Sequence, residues 1–208
     1  GEQVLNMACQ QAKTWLDAGA EDFRIAVNLS GKQLELPDLP EIVTRALEAS
    51  RLPAGNLVLE ITESVLMERA RDPAALLNRL RALGVMLAID DFGTGYSSLS
   101  YLKRFPLDFL KIDRSFIQDM TTNPDAQAIV TGIVALAHSL RLKVTAEGVE
   151  TAAQRDALAA IECDYLQGFL YSRPVPADVV ETVLLLNPSR AKAHQKPQRS
   201  SAPGTGPR

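Results

Sequence analysis

The sequence predicts an α/β fold, a TIM-type (β/α) barrel that is incomplete at its N-terminus, with about six of the usual eight strands present. Three observations carry this expectation. Helical and strand-like patterns alternate along the chain, each strand-like run ends in a polar residue, and the length falls short of a complete barrel. Strands alternating with helices imply parallel strands joined by helical crossovers.

The first element is a helix. Val4, Met7, Ala8, Ala12, Trp15 and Leu16 recur at helical spacing, and Gly19 ends the pattern. Residues 23–29 follow as a short apolar run with a β-branched core, the signature of a buried strand. Further strand-like runs are 57–62, 85–89, 109–112, 143–146 and, less distinctly, 165–166. Helical patterns over 39–50, 73–83, 125–140, 151–160 and 177–186 are interleaved with them.

A doubly wound open sheet fits the same alternation, so the polar residues must decide. Asn28 closes the first run, Glu60 lies near the end of the second, and Asp90 and Asp91 follow the third. Lys111 lies at the end of the fourth, Glu147 follows the fifth, and Gln167 follows the sixth. Parallel strands share the face formed by their C-terminal ends, so these side chains fall on one rim, where α/β barrels carry their sites. Contributors from every strand fit a barrel better than an open sheet, whose site gathers at one switch point.

Composition narrows the class. Cys9 and Cys163 are too few for a disulfide framework, and no run approaches the roughly 18 apolar residues of a membrane span. No basic-then-apolar leader opens the chain, and a cytoplasmic setting is expected. The formal net charge of -3 is unevenly spread. Residues 187–208 contain Arg190, Lys192, Lys196, Arg199 and Arg208 with no acid. Five of the 22 basic residues thus lie in this tail, leaving 17 against 25 acids in the body. An acidic body argues against a nucleic acid polymer as partner. Poor in large apolar side chains, the tail is expected to be a disordered, solubilising end to a domain spanning 1–186. Without that tail the chain is well short of the about 250 residues typical of a barrel.

The rim restricts the chemistry. Asn28, Glu60, Asp90 and Asp91 offer only oxygen donors, which suit hard cations such as Mg²⁺ or Mn²⁺. His138 sits in a helical pattern and His194 in the tail, so neither points to zinc. Adjacent Asp90 and Asp91 can share two cations about 3.5–4 Å apart, the clamp used for in-line displacement at phosphorus. Phosphate ester hydrolysis is the expected reaction class. Lys111 among carboxylates would stay charged, either orienting the attacking water and a phosphoryl oxygen or forming a structural ion pair. The glycines of Phe92-Gly93-Thr94-Gly95-Tyr96-Ser97-Ser98-Leu99 permit unusual backbone angles, but the spacing is not that of a P-loop.

Six blocks then stand in register: Asn28-Leu29-Ser30, Glu60-Ile61-Thr62-Glu63-Ser64, Asp90-Asp91 through Leu99, Lys111-Ile112-Asp113, Ala146-Glu147-Gly148-Val149-Glu150-Thr151, and Gln167-Gly168-Phe169 with Ser172-Arg173-Pro174. Through them the chain resembles the EAL-domain family of cyclic di-GMP phosphodiesterases over residues 1 to about 186. The resemblance implies a TIM-type barrel that opens cyclic di-GMP to linear pGpG. It implies that Asn28, Glu60 and Asp90 hold one divalent metal, with Asp90 and Asp91 reaching a second. Lys111 would contact the attacking water, and Glu147 would be the general base or its close assistant. Glu150 and Gln167 would support this network, and Glu63 would anchor the loop Phe92, Gly93, Thr94, Gly95, Tyr96, Ser97, Ser98 that couples the site to a homodimer. Upstream sensory or cyclase domains are implied as well. The family's Glu-Ala-Leu motif, whose glutamate is a metal ligand and whose following arginine holds substrate, does not precede Asn28 in this chain. An N-terminally shortened chain is the expectation, since every downstream ligand is intact, and these residues alone are expected to show impaired catalysis. The alternative is a non-catalytic cyclic di-GMP receptor or protein-interaction module.

Overall fold

The structure, a computed structural model, describes residues 1–68, 72–94 and 102–186. Its elements are α1 (Glu2–Asp17), β1 (Ile25–Asn28), α2 (Gly31–Leu34), α3 (Leu39–Ser50), a 3₁₀ turn (Ala54–Asn56), β2 (Leu57–Thr62), α4 (Glu63–Glu68), α5 (Pro73–Ala82), β3 (Met86–Phe92), β4 (Phe109–Ile112), α6 (Arg114–Gln118), α7 (Pro124–Ser139), β5 (Lys143–Ala146), α8 (Ala152–Ala160), β6 (Tyr165–Leu166) and α9 (Ala177–Leu186).

Helix starts follow side-chain chemistry. Asp72 accepts the Ala75 N–H ahead of α5, Asn123 accepts the Asp125 N–H ahead of α7, and in both a proline opens the helix. On α1 the buried residues Leu5, Cys9, Ala12 and Trp15 fall at spacings of three and four, one face turned inward.

All strand pairs are parallel, and their order in the sheet is β1-β2-β3-β4-β5-β6. Every crossover therefore advances in one direction. A doubly wound sheet needs a reversal, which is absent, and the six strands curve into a half-barrel with helices outside. β2 and β4 are buried almost throughout because both faces are covered. On the helix side, Leu59, Ile61, Leu87, Ile89, Leu110, Ile112 and Val144 join the main core. On the concave side, alternate residues Val58, Ala88 and Phe109 form a smaller cluster. It borders a cavity of about 510 Å³ that Glu60, Lys111 and Thr145 also line.

Three strands are each preceded by an Asn or Asp that reaches the start of the preceding one. Asn56 Nδ2 donates to Phe23 O at 2.7 Å. Asp108 Oδ2 accepts the Leu87 N–H at 3.0 Å while Oδ1 pairs with Arg81 at 2.9 Å. Asp164 Oδ2 accepts the Val144 N–H at 3.0 Å and lies 2.8 Å from His138 Nε2, and Oδ1 meets Lys143 Nζ at 2.7 Å. These bonds lace the foot of the sheet, opposite the rim.

The predicted strand at 85–89 extends through Phe92, so Asp90 and Asp91 lie inside β3 rather than after it. Pairing of Thr62 with Asp90 carries the ladder that far. The short helices α2, α4 and α6 were not expected, being too brief to show a period. Among the described residues no helix is long and apolar enough to cross a membrane. The 187–208 tail and Gly95 to Leu99 lie outside the described residues.

Candidate active site

Strand alternation selects which side chains face the concave side at the rim. On β4, Phe109 and Lys111 point inward while Leu110 and Ile112 enter the helix-side core. On β2, Val58 and Glu60 do the same. Consecutive Asp90 and Asp91 should then point apart. Between Ile89 and Phe92, however, the β3–β4 register shifts, two steps of β4 facing three of β3. Asp91 absorbs the extra residue in a left-handed conformation, with φ at 53°. Carboxylate oxygens of Asp90, Asp91 and Glu147 consequently lie within 4.8 Å of one another.

Lys111 occupies the centre. Its Nζ lies 2.7 Å from Glu147 Oε1, 2.9 Å from Glu60 Oε2 and 3.0 Å from Asp90 Oδ1, with its side chain 7% exposed. Burial alone would depress the ammonium, but the Glu147 hydrogen bond and the charges of Glu60 and Asp90 outweigh it and raise its pKa. Lys111 is thus held as a cation. Burial raises the carboxyls of Glu60 and Glu147 despite the partial offset from Lys111. Asp91 is raised by burial and by the neighbouring charge of Asp90.

Loop geometry fixes the surroundings. Glu63, 2% exposed, accepts the Gly93 N–H through Oε2 at 3.0 Å, and Thr94 Oγ1 donates to Asp91 O at 2.8 Å. Gly93 has φ 98°, and a Cβ there would meet the Phe116 ring at 2.7 Å. Phe92 is buried in the core. Past β5, the Glu147 N–H donates to Ile112 O and the Val149 N–H to Gln167 O. Gly168 passes so close that a Cβ would lie 2.2 Å from Val149 O, leaving room only for glycine.

Glu60, Asp90, Asp91, Lys111 and Glu147 are therefore brought together. Asn28 stands beside Glu60 in the ladder but is exposed, and Glu150 and Gln167 are exposed on the rim. Among the described residues, no side-chain hydrogen bond joins these three to the cluster. Gln154 was missed in the sequence, although Thr151 three residues before it has the spacing of a capping box.

Fold and rim together define a (β/α)-barrel protein whose acidic site is built from strand ends around one lysine. The chain belongs to the EAL domain family, whose model matches residues 1–174. It is 51% identical over 178 residues to the bifunctional diguanylate cyclase/cyclic di-GMP phosphodiesterase MucR of Pseudomonas aeruginosa, covering 86% of this chain and 26% of that protein. To the cyclic di-GMP phosphodiesterase NbdA of the same organism it is 48% identical over 181 residues, 87% of this chain and 23% of the relative. The chain thus spans about a quarter of the length of these relatives. Among solved structures, the PaMucR phosphodiesterase in its c-di-GMP complex superposes with a TM-score of 0.83 at 50% identity, covering 86% of this chain and 73% of that one.

Proposed function

We propose that the chain forms part of a divalent-metal-dependent phosphodiesterase that hydrolyses cyclic di-GMP to linear pGpG in second-messenger signalling. One observation carries the reading: Asp90, Asp91 and Glu147 converge within 4.8 Å beside a buried lysine. Relatives named for the same activity support it.

The donor set fits a metal. Four carboxylates, of Glu60, Asp90, Asp91 and Glu147, face the single ammonium of Lys111, leaving excess negative charge in a poorly hydrated setting. Oxygen-only donors suit Mg²⁺ or Mn²⁺. Asn28, Glu60 and Asp90 would hold one cation, and Asp91 with Asp90 a second. Such a pair, when bound, supplies Lewis acidity and a readily deprotonated water. Lys111 orients the attacking water and faces a phosphoryl oxygen, donating hydrogen bonds without taking a proton. Glu147, made more basic by burial, takes up the proton of that water or assists its removal. Glu150 and Gln167 support the water network from neighbouring loops. Glu63 anchors the Gly93 turn, at the start of the segment through which a homodimer contacts the site. The folded unit is 1–186 with a basic tail at 187–208, in a cytoplasmic protein carrying sensory or cyclase domains.

The protein carrying this chain, given cyclic di-GMP with Mg²⁺ or Mn²⁺, is expected to yield pGpG on chromatography. Nucleotide binding without pGpG would make it a receptor. Neither binding nor turnover would overturn the reading.

A further inference from the structure

Gln154 lies on α8, a few residues past the loop that carries Glu147 and Glu150, and is 5% exposed. Its Oε1 accepts the backbone N–H groups of Glu150 at 2.8 Å and Thr151 at 2.9 Å. Its Nε2 donates to Ile117 O at 3.1 Å and to Gln118 O at 3.4 Å. Those carbonyls end α6, the helix directly after the strand of Lys111, and a helix end leaves its last carbonyls without intrahelical partners. One side-chain amide thus satisfies two donors of the 147–151 loop and two acceptors of α6. The same two segments touch again where Gly148, at φ 69°, comes so near Arg114 that a Cβ would stand 2.5 Å from its Cβ. Glu147 immediately precedes that contact and reaches Lys111 with its side chain.

We infer that Gln154 is a positioning residue for the rim: it fixes the 147–151 loop against α6 and so sets the contact of Glu147 with Lys111. The bland role for a glutamine here is the capping box of α8, since Thr151 Oγ1 accepts the Gln154 N–H at 3.2 Å. Glutamate serves a capping box as well as glutamine does. A cap alone makes no use of Nε2, whereas here that nitrogen carries both bonds that reach α6. The inference deepens the metal-site reading above and rests on it only for its cation measurement.

Three variants separate the roles. Gln154→Glu keeps the capping acceptor but turns a carboxylate oxygen toward the carbonyls of Ile117 and Gln118. Gln154→Ala removes both halves of the link. Leu158→Ala, at a fully buried position on the same helix, controls for general destabilisation. Two quantities are read on the protein: the ¹⁵N signal of the Lys111 ammonium in EDTA, and Mn²⁺ affinity by calorimetry. Both Gln154 variants are expected to shift or broaden the Lys111 signal and to weaken Mn²⁺ binding about tenfold. Leu158→Ala is expected to lower the urea midpoint while leaving both readouts at wild-type values. An unchanged Lys111 signal in Gln154→Glu reduces the residue to a helix cap and overturns the inference. So does a Leu158→Ala protein that reproduces the Gln154 effects. Wild-type protein that takes up no Mn²⁺ sinks the metal reading alone, because the Lys111 signal still decides the role of Gln154. Should Gln154→Ala fail to fold, Gln154→Glu carries the comparison.

Discussion

Asp91 donates its backbone N–H to Oδ1 of Asp90 at 3.0 Å, holding the second aspartate of the pair in a left-handed conformation at φ 53°. Such a conformation costs a residue with a Cβ up to about 1–2 kcal/mol, and less for an aspartate held by a local hydrogen bond. Strain and like charge are both concentrated where the two carboxylates must meet.

Asp91→Gly removes that strain together with one negative charge. The variant is expected to unfold in urea at the wild-type free energy or up to about 1 kcal/mol above it. In the protein carrying this chain, the proposed hydrolysis of cyclic di-GMP should slow by about 10–100-fold. A clear drop in the urea midpoint would contradict the account of the bulge as strained.

Lys111→Met leaves Glu60, Asp90 and Glu147 facing one another without their shared cation. In EDTA at neutral pH the variant is expected to lose about 3–5 kcal/mol, the penalty for removing one partner of a buried ion cluster. Equilibrium urea unfolding measures it. A loss under about 1 kcal/mol would place the cluster in effective contact with water.

Gly93→Ala meets two obstacles, the positive φ and the Phe116 ring 2.7 Å from the new Cβ. A loss of about 2–4 kcal/mol is expected. In a Phe116→Leu background the loss should shrink but persist, because the backbone angle is unchanged. Full additivity of the two substitutions in a double-mutant cycle would show that the ring does not press on this turn.

Asp164 gives the fold an acid-sensitive joint. Burial would push its carboxyl up, yet hydrogen bonds from Lys143, the Val144 N–H and His138 outweigh that and lower it. A depressed carboxyl contributes stability that is present above its unfolded pKa, about 3.9, and is lost as pH falls through the folded value. Asp164→Ala is expected to cost about 1–3 kcal/mol at pH 7. The gap to wild type should narrow as urea titrations are repeated below about pH 4. A gap independent of pH would rule out the ionised carboxylate as its source.

Alternation of apolar runs with helical periods was enough to read the six strands and four of the five crossovers, helped by the central strands β2, β3 and β4 being short runs buried on both faces. The rim was legible for a related reason: an apolar strand has little use for Glu60 or Lys111 unless both turn to a shared concavity. Less was visible where one residue acts through distant backbone. The aspartate pair looked like the start of a loop, since a bulge depends on the register with β4 and leaves no local pattern. Gln154 bonds to carbonyls 36 and 37 residues away. Asp108 and Asp164 leave no local pattern either, because their partners are the amides of neighbouring strands. Asn28 took its expected place in the ladder while its side chain stayed exposed.

The lacing at the foot of the sheet gives three of its five strand junctions a fastening separate from the rim. Asn56, Asp108 and Asp164 fasten one strand start to the one before it with bonds that involve no rim residue. At those three junctions the alignment of strand starts is held without the rim side chains. The same scaffold can lose, retain or redirect its chemistry and still persist as a folded body, open to use as a sensor or a docking platform once turnover is gone.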